Sequence, residues 1–336
     1  MTLGKNEGIA PPRGNGSCNF LQGAAQLKLG RQRVLARKWA FGSEQAFARE
    51  RREVKLEVKG GRKQAAQPIG VFDSGVGGLT VLKAIKKLLP MEDFIYLGDT
   101  ARLPYGTKSP QSITRYALQS ALHLVARRIK LLVVACNTAS AVALEELEKA
   151  FQPTPIIGVI KPGAAASSQA SASGRICVVA TESTVRQGAY ETEIKRIRPE
   201  AAVVSIPCPL FVALAEEGWV DGPLVEGIIE RYLRPAFFAA DSFKPDCLVL
   251  GCTHFPVLAK SIRKVLGPAI VLVDSAETTA AAVERELATR GLRRDRSGDR
   301  GNVTFLATDG AERFARVGSL FLGEPLSPLA VEIVDL

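Results

Sequence analysis

Between residues 68 and 322 the chain repeats one pattern. A short, unbroken apolar run ends in a small or polar residue, and a stretch with apolar positions at helical spacing follows. The runs predict strands at 68–72, 94–97, 131–135, 156–160, 175–180, 202–206, from 247, at 269–273 and at 303–308. The intervening stretches predict helices at 79–89, 110–128, 139–150, 185–197, 224–239, 257–266, 274–290 and 311–321, with a short one inside 207–218. Pro90 stops the first helix, since it can neither donate to the helical ladder nor fit the turn before it. Runs that are apolar throughout, rather than alternating, read as parallel strands covered on both faces. Strict alternation of strand and helix argues for doubly wound α/β units.

The pattern also repeats at longer range. Strands near 69, 94 and 131 are spaced by 25 and 37 residues; those near 176, 202 and 247 by 26 and 45. The expectation is a diverged duplication: two pseudo-symmetric doubly wound parallel-sheet domains with the active site in the cleft between them. The first domain takes 68–157 and, because the elements after 275 are too few to stand alone, 275–336 as well. The second takes 158–274.

Residues 1–67 hold 14 Lys and Arg against 5 Asp and Glu, a net charge of +9, whereas the remainder holds 30 against 29. The basic character of the chain (+10 in all) therefore belongs to this extension. Its composition reads as disordered, with a basic amphipathic helix at 27–47, carrying Leu35, Trp39 and Phe47, as the alternative; a targeting or partner-binding arm is the functional counterpart. A near-neutral body gives no support to nucleic-acid binding by the fold. No segment approaches the roughly 18 consecutive apolar residues of a membrane span, and the opening residues lack an apolar signal core. Six cysteines without a regular framework fit a reducing compartment, so the expected location is the cytoplasm.

Two stretches carry the chemistry, LLVVACNTAS at 131–140 and CLVLGCTHFP at 247–256. Each ends an apolar run on a cysteine, Cys136 and Cys252, 116 positions apart. Ligands of open α/β sheets sit outside the carboxyl ends of the strands. There stand Asp73 and Ser74, Tyr105 and Gly106, Cys136 with Asn137 and Thr138, Thr181 and Thr184, Glu216, and Cys252 with Thr253 and His254. A cysteine after a strand is ordinarily a small buried hydrophobe, and Cys18, Cys177, Cys208 and Cys247 are read that way. The matched pair is different, because a thiol at a helix N-terminus is where its pKa falls. One thiolate can take a proton from a tetrahedral carbon while the opposite thiol returns one to the other face. Asp73, Glu216 and His254 would set protonation states and relay protons. Asn137, Thr138, Ser74, Thr181 and Thr253 would offer neutral donors to a carboxylate and an amine. Plainer roles stand beside these: His254 as a structural imidazole, Asp73 as a helix cap, Tyr105 as a loop cap. A metal site of Cys136, Cys252 and His254 lacks ligand spacing. The glycines at 75–78 fail the dinucleotide fingerprint because position 80 is Thr80. They read instead as a tight turn whose amides can hold an anion.

At these residues the sequence resembles the glutamate racemases of the aspartate/glutamate racemase superfamily. The resemblance rests on DSGVGG at 73–78, GDTARLPYG at 98–106, ACNTAS at 135–140, ATEST at 180–184 and GCTHFP at 251–256, and covers about 68–322. It departs at Ser183, where the family has Gly, and at Ala213, where Pro is common. It implies a cofactor-independent enzyme that interconverts L- and D-glutamate by two cysteines, Cys136 acting on D-glutamate and Cys252 on L-glutamate, and that supplies D-glutamate for peptidoglycan. It implies substrate contacts from Asp73, Ser74, Tyr105, Gly106, Asn137, Thr138, Thr181, Thr253 and His254, with Glu216 beside them, and a homo-oligomer, a dimer in the first instance. The rival readings are a relative acting on aspartate, a hydantoin or a malonate, and a binding or inhibitory protein, for example toward DNA gyrase.

Overall fold

The computed structural model describes residues 64–240, 243–294 and 300–336. The helix read at 27–47, with nearly all of the basic extension, lies outside the described residues. The strands are β1 (Ile69–Asp73), β2 (Phe94–Gly98), β3 (Leu131–Val134), β4 (Ile156–Gly158), β5 (Arg175–Ala180), β6 (Ala202–Pro207), β7 (Cys247–Gly251), β8 (Val271–Asp274), β9 (Val303–Ala307) and β10 (Val331–Ile333). They form a six-stranded sheet of order β10-β9-β2-β1-β3-β4 and a four-stranded sheet of order β6-β5-β7-β8. Every pairing is parallel. The run β2-β1-β3-β4 is matched by β6-β5-β7-β8, so Cys136 after β3 and Cys252 after β7 occupy equivalent places.

The helices are α1 (Leu79–Leu88), α2 (Pro110–Val125), α3 (Asn137–Ala150), α4 (Ile160–Ala170), α5 (Glu182–Gln187), α6 (Ala189–Ile197), α7 (Pro209–Glu216), α8 (Pro223–Phe237), α9 (Ala259–Leu266), α10 (Ser275–Thr289) and α11 (Ala311–Leu322). All residues of β1, β2, β3 and β7 are buried, as strands covered on both faces must be. Local chemistry sets several boundaries. Ser109 caps α2 by accepting from the Ser112 amide, with Pro110 at the first turn, where its missing N–H costs nothing. Asp274 caps α10 by accepting from the Ala276 amide at 2.7 Å.

The structure differs from expectation in three places. The helix read at 185–197 is two helices, α5 and α6, because Gly188 turns left-handed at φ +62° between them, a conformation glycine adopts without strain. Helix α4 was not expected. After Ile160 its buried positions are small (Gly163, Ala164, Ser167 and Ser168), so hydrophobic periodicity barely marks it. Strand β10 was also not expected; it adds to the edge of the first sheet beside β9.

One core cluster runs through both sheets, including Ile69, Val133, Ile176 and Val249 together with Ala164 of α4 and Val283 of α10. Helix α10 packs against both α1 and α4, which joins the two sheets through shared helices. A second cluster covers the other face of the second sheet, around Phe211, Ile229 and Leu250. At the amino ends of β2 and β3, far along the strands from the cysteines, Lys130 pairs with Glu92, both fully buried. Lys130 also donates to the Ala65 carbonyl at 2.7 Å, and Glu92 accepts from the Arg294 amide at 2.8 Å.

Removing one partner of such a pair strands a buried charge. Lys130→Met should destabilise the protein by about 3–5 kcal/mol, and a further Glu92→Leu change should recover most of the loss. Urea unfolding of both variants measures this.

Candidate active site

Asp73, the last residue of β1, turns its carboxylate into the turn that follows. The Gly75 amide donates to its Oδ2 at 3.0 Å and the Gly78 amide also hydrogen-bonds it. The turn amides expected to hold an external anion are therefore occupied by the chain's own carboxylate. The Thr253 hydroxyl, from the second sheet, donates to Asp73 Oδ1 at 3.4 Å. Burial is complete, and it raises the Asp73 pKa despite the nearby His254 and these hydrogen bonds.

Cys136 is the N-cap of α3. Its Sγ accepts from the Ala139 amide and donates to Ser74 Oγ, each at 3.4 Å. The expectation of a lowered thiol pKa fails here: burial pushes the Cys136 thiol up to about 12, and the Asp73 charge adds to that, against smaller opposing effects of Ser74 and Ala139. In the described structure Cys136 is thus a protonated thiol at neutral pH. Cys252 follows β7, with no α-helix starting there; a turn and a short 3-10 helix at Phe255–Leu258 come next. Its Sγ lies 3.8 Å from His254 Nδ1. Both thiols are free.

On its other side His254 Nε2 meets Glu216 Oε1 at 2.9 Å. The second oxygen of Glu216 accepts from Arg313 Nη2 at 2.7 Å. Burial alone would lower the His254 pKa, but its bonds to Cys252 and Glu216 outweigh burial and push it up to about 10. Burial likewise opposes charge on Glu216, and the bonds from His254 and Arg313 override it and hold the carboxyl near 2. The pair is therefore imidazolium and carboxylate across the neutral range, and the imidazolium sits where charge would develop on Cys252.

Hydroxyls complete the seam between the sheets. Thr138 Oγ1 lies 2.9 Å from Thr181 Oγ1 and 3.3 Å from Thr184 Oγ1, and the latter two are 3.0 Å apart. Asn137 Oδ1 accepts from the Tyr190 hydroxyl at 2.8 Å, while its Nδ2 is buried without a partner among the described residues; such a group ordinarily costs about 1–3 kcal/mol. Tyr105, by contrast, turns its hydroxyl away to Asp99 at 2.5 Å, and Gly106 presses against Thr181. A cavity of about 340 Å³ opens here, lined by Ser74, Gly106, Thr181, Glu216, His254 and Arg313 among others. The cysteines, expected to line the cleft, are 5% and 6% exposed and reach the cavity through Ser74 and His254.

Sequence reasoning did not single out Arg313, Tyr190 or Asp99. Arg313 lies in a surface helix 97 residues from its partner Glu216, and nothing in its neighbours distinguishes it from a solvated arginine. Among the described residues, no group of three His, Cys, Asp or Glu side chains is arranged to hold a metal, and no helix is long and apolar enough to cross a membrane.

Two like-ordered parallel sheets, each ending a matching strand on a thiol, with acid and base groups at both, define an isomerase-type α/β site, and residues 69–283 match the Asp/Glu/Hydantoin racemase family. A glutamate racemase of Geobacter metallireducens is 52% identical over 258 residues, spanning 77% of this chain and 93% of that protein. One of Chlorobaculum tepidum is 43% identical over 269 residues, 80% and 96% of the two chains. Among solved structures, the glutamate racemase of Francisella tularensis in complex with D-glutamate superposes with a TM-score of 0.73 at 36% identity, covering 80% of this chain and 98% of that one. The chain belongs to the glutamate racemase family of amino-acid racemases.

The protein has two histidines, and neither should titrate near 6.5. His254 should titrate near 10, while burial, assisted by Arg127, lowers His123 to about 4. By linkage, the stability that charged His254 contributes is fully present below about 6.5 and is lost as pH rises through about 10; His123 costs stability as pH falls from about 6.5 toward 4. Imidazole NMR titration of the folded protein reads both values directly.

Proposed function

We propose that this protein interconverts L- and D-glutamate by a two-base mechanism in which Cys252 and Cys136 act on opposite faces of the α-carbon. The observation that carries this reading is the placement of two free thiols at equivalent strand ends of two like-ordered sheets. With L-glutamate bound, the Cys252 thiolate takes the α-proton. The electron pair left behind delocalises into the α-carboxylate, and the Cys136 thiol delivers its proton to the other face. The product is D-glutamate, with Cys252 now a thiol and Cys136 a thiolate, and the reverse reaction exchanges the roles. Because the thiols accept and donate the proton themselves, the reaction as written needs no cofactor.

The surroundings suit the two roles. His254, kept charged by Glu216, offsets negative charge at Cys252. Ser74 accepts the Cys136 hydrogen in the resting state, and Asp73 is the carboxyl beside it. Asn137, Thr138, Thr181 and Thr253, with the backbone at Tyr105 and Gly106, are the donors and walls for the substrate's carboxylates and amine.

We read the chain as two domains, 68–157 with 275–336 and 158–274, in line with sheet membership. We place its action in the cytoplasm, where thiols stay reduced, and its product in peptidoglycan synthesis. The homodimer follows from the family resemblance.

The purified protein should abolish the circular dichroism of L-glutamate and leave that of L-aspartate unchanged. Cys136→Ala and Cys252→Ala should each lower turnover in both directions by about 10²–10⁴-fold or more, the scale of a lost acid or base. A single-cysteine variant that turns over near the wild-type rate overturns the two-base mechanism.

A further inference from the structure

Tyr190, on α6, is 2% exposed, and its ring occupies a slot that exists because two side chains are missing. A Cβ at Gly163 would stand 3.2 Å from the ring's Cε1 and from the hydroxyl oxygen. One at Gly251, the residue before Cys252, would stand 3.1 Å from Cε2. From this slot in the second sheet's half the hydroxyl crosses to the first and donates to Asn137 Oδ1 at 2.8 Å.

That bond decides which end of the amide is used. It occupies the oxygen, and the nitrogen is left buried with no partner among the described residues on a side chain that is itself 2% exposed. Buried amide nitrogens are nearly always paired, so an unpaired one between Cys136 and Thr138 marks a place for an acceptor from outside the chain. The neighbouring acceptors are already engaged: Thr138 with Thr181 and Thr184, and Cys136 with Ser74 and Ala139. An anionic oxygen suits an amide donor in low-dielectric surroundings. A rotated amide would instead present its own oxygen to that anion.

We infer that Tyr190 is a positioning residue, which locks the Asn137 amide so that its nitrogen donates to a carboxylate of the substrate. This rests on the racemase reading of the cleft. Tyr190 touches no substrate in this scheme; its hydroxyl, which also hydrogen-bonds Ser275, acts on the substrate only through Asn137.

Calorimetric titration with racemic glutamate tests the inference, since that mixture is already at the racemisation equilibrium and its binding heat carries no turnover. Tyr190→Phe removes one oxygen and keeps the ring in its slot. It should raise Kd by about ten- to a hundredfold, the scale of a hydrogen bond to a charged group. In kinetics the loss should fall on KM, with kcat within about threefold of wild type, as expected when ground state and transition state lose the same contact. The effect should vanish in an Asn137→Ala background. Additive losses in that cycle, or an unchanged Kd in Tyr190→Phe, overturn the inference, because a purely packing role would not pass through Asn137. Asn137→Asp is the second variant. It keeps the acceptor for Tyr190 and puts a carboxylate oxygen where the amide NH2 stood, removing the donor and adding a negative charge, so Kd should rise again; an Asn137→Asp protein that binds glutamate normally also overturns it. If the racemase reading itself is at fault, the wild-type protein will show no turnover, whatever these affinities are.

Discussion

The cleft depends on how closely the turn after β1 meets the turn after β7. A Cβ on Gly77 would stand 2.4 Å from Thr253 Oγ1 and 2.6 Å from His254 Nδ1, and one on Gly78 would stand 2.5 Å from Asp73 Cβ. Only residues without side chains allow this approach. Because it is allowed, the Thr253 hydroxyl reaches Asp73, the Thr80 hydroxyl lies 3.2 Å from the Thr253 carbonyl, and His254 is set between Cys252 and Glu216. The glycine run at 75–78 thus serves contact between the sheets rather than phosphate binding, and Asp73 fills the amides that an anion would otherwise take.

Much of the site was legible in the chain because its residues sit at strand ends, and a strand end announces itself as an apolar run that stops. Asp73, Cys136, Asn137, Thr138, Thr181, Cys252, Thr253 and His254 all lie within a few residues of such a stop, and the structure brings them together. The repeat of strand order was visible for the same reason, since similar intervals between apolar runs mark like-ordered strands even where the residues differ. Arg313 and Tyr190 sit on helices whose patterns speak only of packing, and their partners lie 97 and 53 residues away. Helix α4 escaped notice because close packing there demands small residues, which leave little hydrophobic contrast. The thiol chemistry of Cys136 was misjudged from its position: a helix N-terminus attracts negative charge, but full burial beside Asp73 disfavours it more strongly.

Burial treats the three ionisable partners of the cysteines differently. Asp73 is pushed toward its neutral form, because full burial outweighs the nearby His254 charge and the hydrogen bonds from Gly75, Gly78 and Thr253. Glu216 and His254 are shifted the other way because each has a charged partner, and Arg313 supplies the outermost charge from a half-exposed position. Removing charge from water is offset where another charge or several hydrogen bonds take water's place, and these outweigh burial for Glu216 and His254 but not for Asp73.

The two sulfurs therefore stand in unlike surroundings, a serine hydroxyl and a buried carboxyl at one, an imidazolium–carboxylate pair at the other. The substrate imposes the opposite requirement. Mirror-image molecules have identical free energies in water, so the ratio of kcat/KM for the two directions of a racemisation is fixed at unity whatever the catalyst looks like. Unlike surroundings can thus be expressed only as a trade between kcat and KM: the enantiomer that is held more tightly must be turned over proportionately more slowly. The difference between the two halves can adjust how long each enantiomer stays bound, but it can never make the enzyme favour one product over the other.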